Sequence, residues 1–148
     1  MRGDRDERGQ ATVMIVGFAM VLAMTVAMVV DASAAYLQRQ GLDTVADGAA
    51  LRGADLGATG REVYTGGVPR GRLDLTAAAV RGSVHDYLAA TGAYAAYPGL
   101  RFEVDVDPAT SSVTVHLEAP LDLPLAVPGS PGTATVGATG SAVVVAQR

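Results

Sequence analysis

Twenty consecutive residues, Ala11 to Val30, carry no charge and no proline. Wound as an α-helix they span about 30 Å, which is the thickness of a bilayer's hydrocarbon core. Two other uses of such a run compete. A helix buried in a soluble core is usually shorter than this. The apolar stretch of a cleaved signal is also shorter, at about 7–15 residues, although Ala32-Ser33-Ala34 has the small side chains of a cleavage site. Length favours a transmembrane helix retained in the mature protein.

The flanks set an expected orientation. Arg2, Arg5 and Arg8 precede the run, whereas only Arg39 falls within the twenty residues after it. Basic residues near a span stay on the cytoplasmic side, and acids count for little. Residues 1–10 are therefore expected in the cytoplasm, residues 11–30 in the membrane, and the remainder outside. From Asp31 onward eight arginines face twelve acids, which accounts for the net charge of −4. An acidic exterior argues against nucleic acid, whose phosphates need a basic face. The chain has no cysteine, so disulfides, a thiol nucleophile and zinc–thiolate sites are excluded.

The helical pattern does not stop at Asp31. Leu42, Val45, Ala46, Ala49, Ala50 and Gly53 recur at i, i+3, i+4 and i+7, with Arg39, Asp43, Asp47 and Arg52 off that stripe. Tyr36 and Leu37 suit the headgroup zone. The spacing predicts one long helix from about Gln10 to Leu56, apolar all round at first and amphipathic over 31–56, with Gly41 and Gly48 as sites of a bend. The glycine-rich stretch Gly57 to Arg72, which also holds Pro69, reads as a loop; without a Gly-Lys-Ser/Thr ending it is no phosphate cradle. Asp74 or Thr76 can cap a second helix that stops at Gly92, with Ala77, Val80, Val84, Tyr87, Leu88 and Thr91 as its apolar face.

The rest alternates. Phe102, Val104 and Val106 interleave with acids, a turn follows at 107–112, and Val113, Val115 and Leu117 alternate again, which predicts a hairpin with one buried face. Pro120, Pro124, Pro128 and Pro131 interrupt a further alternation of Leu121, Leu123, Leu125 and Val127, expected as an irregular edge strand. Thr133 to Ala146 is the last expected strand, with Val143 to Val145 buried. The expected fold is α+β: a long N-terminal helix, then residues 57–148 as an extracytoplasmic domain of one further helix and an antiparallel sheet of three to four strands.

No catalytic constellation emerges. His85 and His116 have no nucleophile beside them in the pattern and read as solvated surface. Asp43 and Asp47 lie four apart and could share a cation, but no third ligand accompanies them, so they read as a polar helix face. Glu103, Asp105 and Asp107 read as a solvated strand face. No enzyme activity, cofactor or metal is expected. Within the span, Ala19, Ala23 and Ala27 repeat every four residues, a small-xxx-small face on which helix backbones can meet in lipid; Met20, Met24 and Met28 line the neighbouring face. Self-association through that face is expected.

Taken in order, Glu7-Arg8-Gly9-Gln10-Ala11, the apolar run, Val30-Asp31, and Leu42-Asp43-Thr44-Val45-Ala46-Asp47-Gly48-Ala49-Ala50-Leu51 resemble the N-terminal segment of Tad (Flp-type) pilus-assembly proteins of the TadE/TadG-like kind. The family's positions are matched by Gly9, by Asp31 at the outer end of the helix, and by Asp47, Ala49, Ala50 and Leu51. The resemblance implies a minor pilin-like or assembly protein of a cell-surface pilus or related secretion system. Its implied partners are other pilus-assembly membrane proteins, pilins and membrane lipid, and it carries over no catalytic residue. Members cut by prepilin peptidase have a glutamate five residues after the cleaved glycine, where this chain has Met14. An anchored binding or adhesion module unrelated to pili is the alternative.

Overall fold

A helix once nucleated propagates cheaply, because each added residue gains one hydrogen bond for one pair of dihedrals fixed. The structure, a computed structural model describing residues 4–61, 70–107, 109–125 and 132–143, begins with the result: helix α1, Asp4–Arg61, 58 residues and about 87 Å long. After it come α2 (Arg70–Ala90), the single turn α3 (Ala93–Ala96), and strands β1 (Arg101–Asp107), β2 (Ser112–Asp122) and β3 (Thr133–Val143). The strands form one antiparallel sheet in the order β1-β2-β3. The α+β architecture is as expected, with three strands and the added turn α3.

One face of the sheet is covered by α2 and the second half of α1. Leu42, Ala46, Ala49, Ala50 and Ala54 of α1, Val80, Val84 and Leu88 of α2, and Val113, Val115, Leu117, Ala119, Val136 and Ala138 of the sheet form a continuous buried core. Phe102, Val104 and Val106 of β1 pack at its edge, half-buried. The opposite sheet face is polar and includes Glu103, Asp105, Thr114, His116 and Thr139. His116 and Thr139 stand directly across the β2–β3 pair and share a hydrogen bond of 3.0 Å between Nδ1 and Oγ1, so His116 is half-buried rather than fully solvated.

α1 and β3 approach each other backbone to backbone. A side chain at Gly140 would run into the α1 backbone at Ala46, so only glycine lets the helix lie this close to the strand. Gly41 and Gly48, expected as bend sites, act differently. The helix is unbroken there, and the hydroxyl ends of Tyr97 and Tyr87 occupy the space a side chain would take. Seven residues is nearly two turns, so both notches face the same way and seat two tyrosines from the α2–α3 region.

Several boundaries differ from expectation. Gly57 to Arg61 continue α1 and Arg70 to Arg72 open α2, so the expected loop is shorter at both ends; residues 62–69 lie outside the described residues. Asp74 and Thr76 fall inside α2, not at its cap. Ala77 and Thr91 are exposed, and Ser83 is buried in their stead. Gly92 ends the helix with φ 72° as foreseen. Pro120 belongs to the central strand β2, not to an edge strand. It is tolerated because β1 ends opposite Glu118, leaving that side of β2 free of ladder bonds where proline has no N–H to give. The last strand ends at Val143, which is 62% exposed rather than buried because strand alternation puts it, with Thr139 and Ser141, on the polar face of the sheet; Val127, Val144 and Val145 lie outside the described residues. In the hairpin turn, Asp107 accepts bonds from the Thr110 hydroxyl (2.7 Å) and the Ala109 N–H (2.8 Å), which hold its carboxyl below the usual aspartate range.

The Gly140 contact gives a direct test. Gly140→Ala should destabilise the head by about 1–3 kcal/mol, the usual cost of overpacking. Gly137→Ala, where a new side chain would meet only ordinary contact with the Leu117 carbonyl at 3.6 Å, should cost far less. Denaturant unfolding of both variants in detergent, followed by circular dichroism, measures the difference.

Candidate functional site: an apolar helix clasped at its C-terminal end

From Gly9 to Val26 every residue of α1 is exposed. Val13 is 73% exposed, Phe18 71% and Met28 73%, and the side chains between them are open nearly all round. A soluble helix does not present such a surface to water, because a patch of this size drives association. It is the kind of surface that lipid can solvate, and its backbone bonds are closed within the helix as lipid requires. The polar side chains near it are satisfied too. Thr25 donates to the Val21 carbonyl at 2.9 Å and Ser33 to the Val29 carbonyl at 2.7 Å. Gly9–Leu56 is a helix long and apolar enough to cross a membrane, and none of its most apolar stretch is buried. That fits a membrane anchor. Ala19 and Ala23 are exposed and Ala27 is half-covered, along one face of this stretch.

At the C-terminal end of the apolar run, α1 is tied to the sheet's tail. The Leu125 N–H donates to Asp31 Oδ1 at 3.0 Å, and Gln38 Nε2 donates to the Pro120 carbonyl at 3.1 Å. The tail of β2 therefore runs back down the helix, from the level of Gln38 to that of Asp31. Five residues of extended chain easily cover the rise of seven helical residues, about 10 Å. The loop behind the tail is closed by the Leu123 N–H bonding to the Gly132 carbonyl at 3.0 Å. Neither Gln38 nor this clasp is legible in the sequence. The only hint is the Leu121, Leu123, Leu125 alternation among prolines.

The remaining motif positions separate by environment. Gly9 and Asp47 are exposed, Ala49 and Ala50 are fully buried beneath the sheet, and Leu51 is 60% exposed. Asp43 is half-buried, four residues from the exposed Asp47, and no group of three or more metal-ligating side chains occurs among the described residues. His85 is exposed. It sits 3.5 Å from Asp86 and near the rings of Tyr94 and Phe102, with no nucleophile beside it. Between α1 and α2 lies an open groove whose lining includes Arg52, Leu56, Ser83, Asp86 and Tyr87. Its two charges do not make a reaction centre.

These observations define a class: an α+β head carried on one long helix whose other half is exposed, apolar and fits a membrane anchor. Residues 9–56 match the model of a family described as "Putative Flp pilus-assembly TadE/G-like". The matched segment coincides with the helix that is apolar enough to cross a membrane. It covers about a third of the chain, and together with that helix it supports a component related to Tad pili, with other pilus components as partners and a structural rather than enzymatic role. No curated protein and no solved structure matches the chain.

The clasp is testable without knowing any partner. A hydrogen bond to a carboxylate at a partly exposed site contributes about 1 kcal/mol, or roughly a five-fold change in local opening. Asp31→Ala should raise amide exchange at Leu125 by about that factor, while Leu123, bonded to Gly132, changes little. Exchange measured by mass spectrometry or NMR in detergent checks this, and equal protection in both proteins would remove the clasp.

Proposed function

We propose that this chain is a minor pilin-like or assembly component of a Tad/Flp-type pilus or related secretion system. A single helix holds it in the cell membrane. Residues 1–10 are cytoplasmic, 11–30 span, 31–56 rise from the bilayer as the amphipathic part of the same helix, and 57–148 complete the extracytoplasmic head. The observation that carries this reading is the coincidence of the family match, residues 9–56, with a helix half exposed and apolar, half buried in a folded head. The arginine asymmetry around Ala11–Val30 supports the orientation.

The work such a protein does is positional. Lipid gives no hydrophobic drive for helices to associate, so contact relies on close packing. Ala19, Ala23 and Ala27 supply a face on which the backbone of a second helix can come near, whether from another copy or from a partner in the machinery. Gly9, Asp31, Asp47, Ala49, Ala50 and Leu51 act with that face as the segment through which partners are met or the helix is held. Ala49 and Ala50 do so by fitting the helix under the sheet, and Leu51 by pointing away from it.

Two measurements test the reading. A reporter active only outside the cytoplasm, fused after Arg148, should be active; an inactive fusion with intact protein in the membrane fraction would reverse the orientation. In-cell crosslinking followed by purification should recover other pilus-assembly membrane proteins or pilins. Ala23→Ile should weaken that recovery at unchanged membrane level, because the branched side chain pushes backbones apart, and Met24→Ile on the neighbouring face should weaken it less. Recovery of no pilus component from wild type sinks the function. Equal recovery from all three sinks the packing face.

A further inference from the structure

The proline-rich tail of β2 has no role in the reading above, yet its position is unusual. The first core residue of α1 that is fully buried is Leu42, eleven residues beyond Asp31. At 1.5 Å per residue the folded core therefore stands about 16 Å above the end of the apolar run. Ala35 is half-buried against the core within that distance, and the tail reaches further down, to the level of Asp31. Its Leu125 amide is bonded to Asp31, the first charged residue after Val30. A single exposed leucine needs no explanation on most protein surfaces. Here depth decides, because a residue level with Asp31 lies where the hydrocarbon of a bilayer meets its headgroups.

We propose that Leu121–Leu125 is a second membrane contact, with Leu125 seated in the lipid interface beside the helix. The proposal rests on reading Ala11–Val30 as the span. Leu125 is 40% exposed, while Leu121 and Leu123 alternate with it and are half-buried, Leu121 against the core. Tyr36 and Leu37, each 66% exposed, leave the helix within about 9 Å of Asp31 along its axis and add apolar and aromatic surface at the same interface. Asp122 is exposed on the other side of the alternation, toward water, so the contact is shallow. The occupant is a lipid surface. The clasp holds the tail at the right height, and the leucine removes its remaining apolar area from water by entering the interface.

The absence of cysteine makes the test clean, since one introduced thiol carries the only label. The full chain is reconstituted into phosphatidylcholine vesicles as Leu125→Cys, Val143→Cys or Val21→Cys, each bearing an environment-sensitive fluorophore. Lipids carrying a spin-label quencher near the headgroup, or near the chain end, are then added. Val143 is the control for a label drawn into lipid by its own greasiness. It is exposed and apolar but pairs with Ser112 at the far end of the sheet. The expected result is strong quenching at position 125 by the shallow quencher, quenching at position 21 by the deep one, and neither at position 143. If position 21 is quenched and position 125 is as dark to both quenchers as position 143, the contact does not exist and the span stands. Equal quenching at 125 and 143 by the shallow lipid likewise overturns it, since the label alone then explains the signal. No quenching at position 21 overturns the span and the contact together.

Discussion

The contact between Gly140 and the α1 backbone at Ala46 is the constraint from which the rest of the head follows. A helix can lie within touching distance of a strand's backbone only where both surfaces are nearly bare. The stripe beneath the sheet is accordingly made of Ala46, Ala49, Ala50 and Ala54, with Leu42 as its one large side chain. Because the helix sits so low, the bulk that fills the core comes from elsewhere: Val80, Val84 and Leu88 of α2, and Val113, Val115 and Leu117 of the central strand. The same closeness lets Tyr87 and Tyr97 reach the glycine notches on the helix. Small residues in this half of α1 thus serve intimate packing on the sheet, while the other half exposes large apolar side chains such as Val13, Phe18 and Met28.

Much of this arrangement is legible in the sequence where a period is long and uninterrupted. Helix α1, the β1–β2 hairpin and the buried stripe from Leu42 to Gly53 follow from hydrophobic periodicity alone. What periodicity cannot give is distance between elements. Gly140 reads only as a weak point in a strand, since the helix that needs its bareness lies almost a hundred residues earlier. Gly41 and Gly48 read as bends because nothing local announces the tyrosines that fill them. Pro120 reads as an edge signal, which is right about the missing ladder bond but wrong about the strand, because a central strand that outruns one neighbour has an edge of its own. At the candidate site, the apolar run and Asp31 are plain in the sequence, whereas Gln38 and the backbone groups of Pro120 and Leu125 are not. Backbone partners leave no mark in side-chain identity.

The polar face of the sheet complements this division. Threonines, acids and a cross-strand His116–Thr139 bond keep that side in water, while the covered side carries the packing. With no disulfide available, the head depends on this sorting and on the closeness of α1 and β3 for its coherence.

An unbroken helix whose apolar half fits a membrane anchor and whose other half is buried in the head is also a lever. From the middle of the apolar run near Val21 to the core contacts near Gly48 is about 40 Å of rigid rod. Membrane helices tilt by about 20° on average, set by neighbours and by bilayer thickness. A change of about 10° at the pivot sweeps the head sideways by about 7 Å over that length. No hinge absorbs the motion, because the glycines where one could form are filled by tyrosine rings. Any change in the angle at which the apolar half is held is therefore transmitted, amplified, to the position of the head.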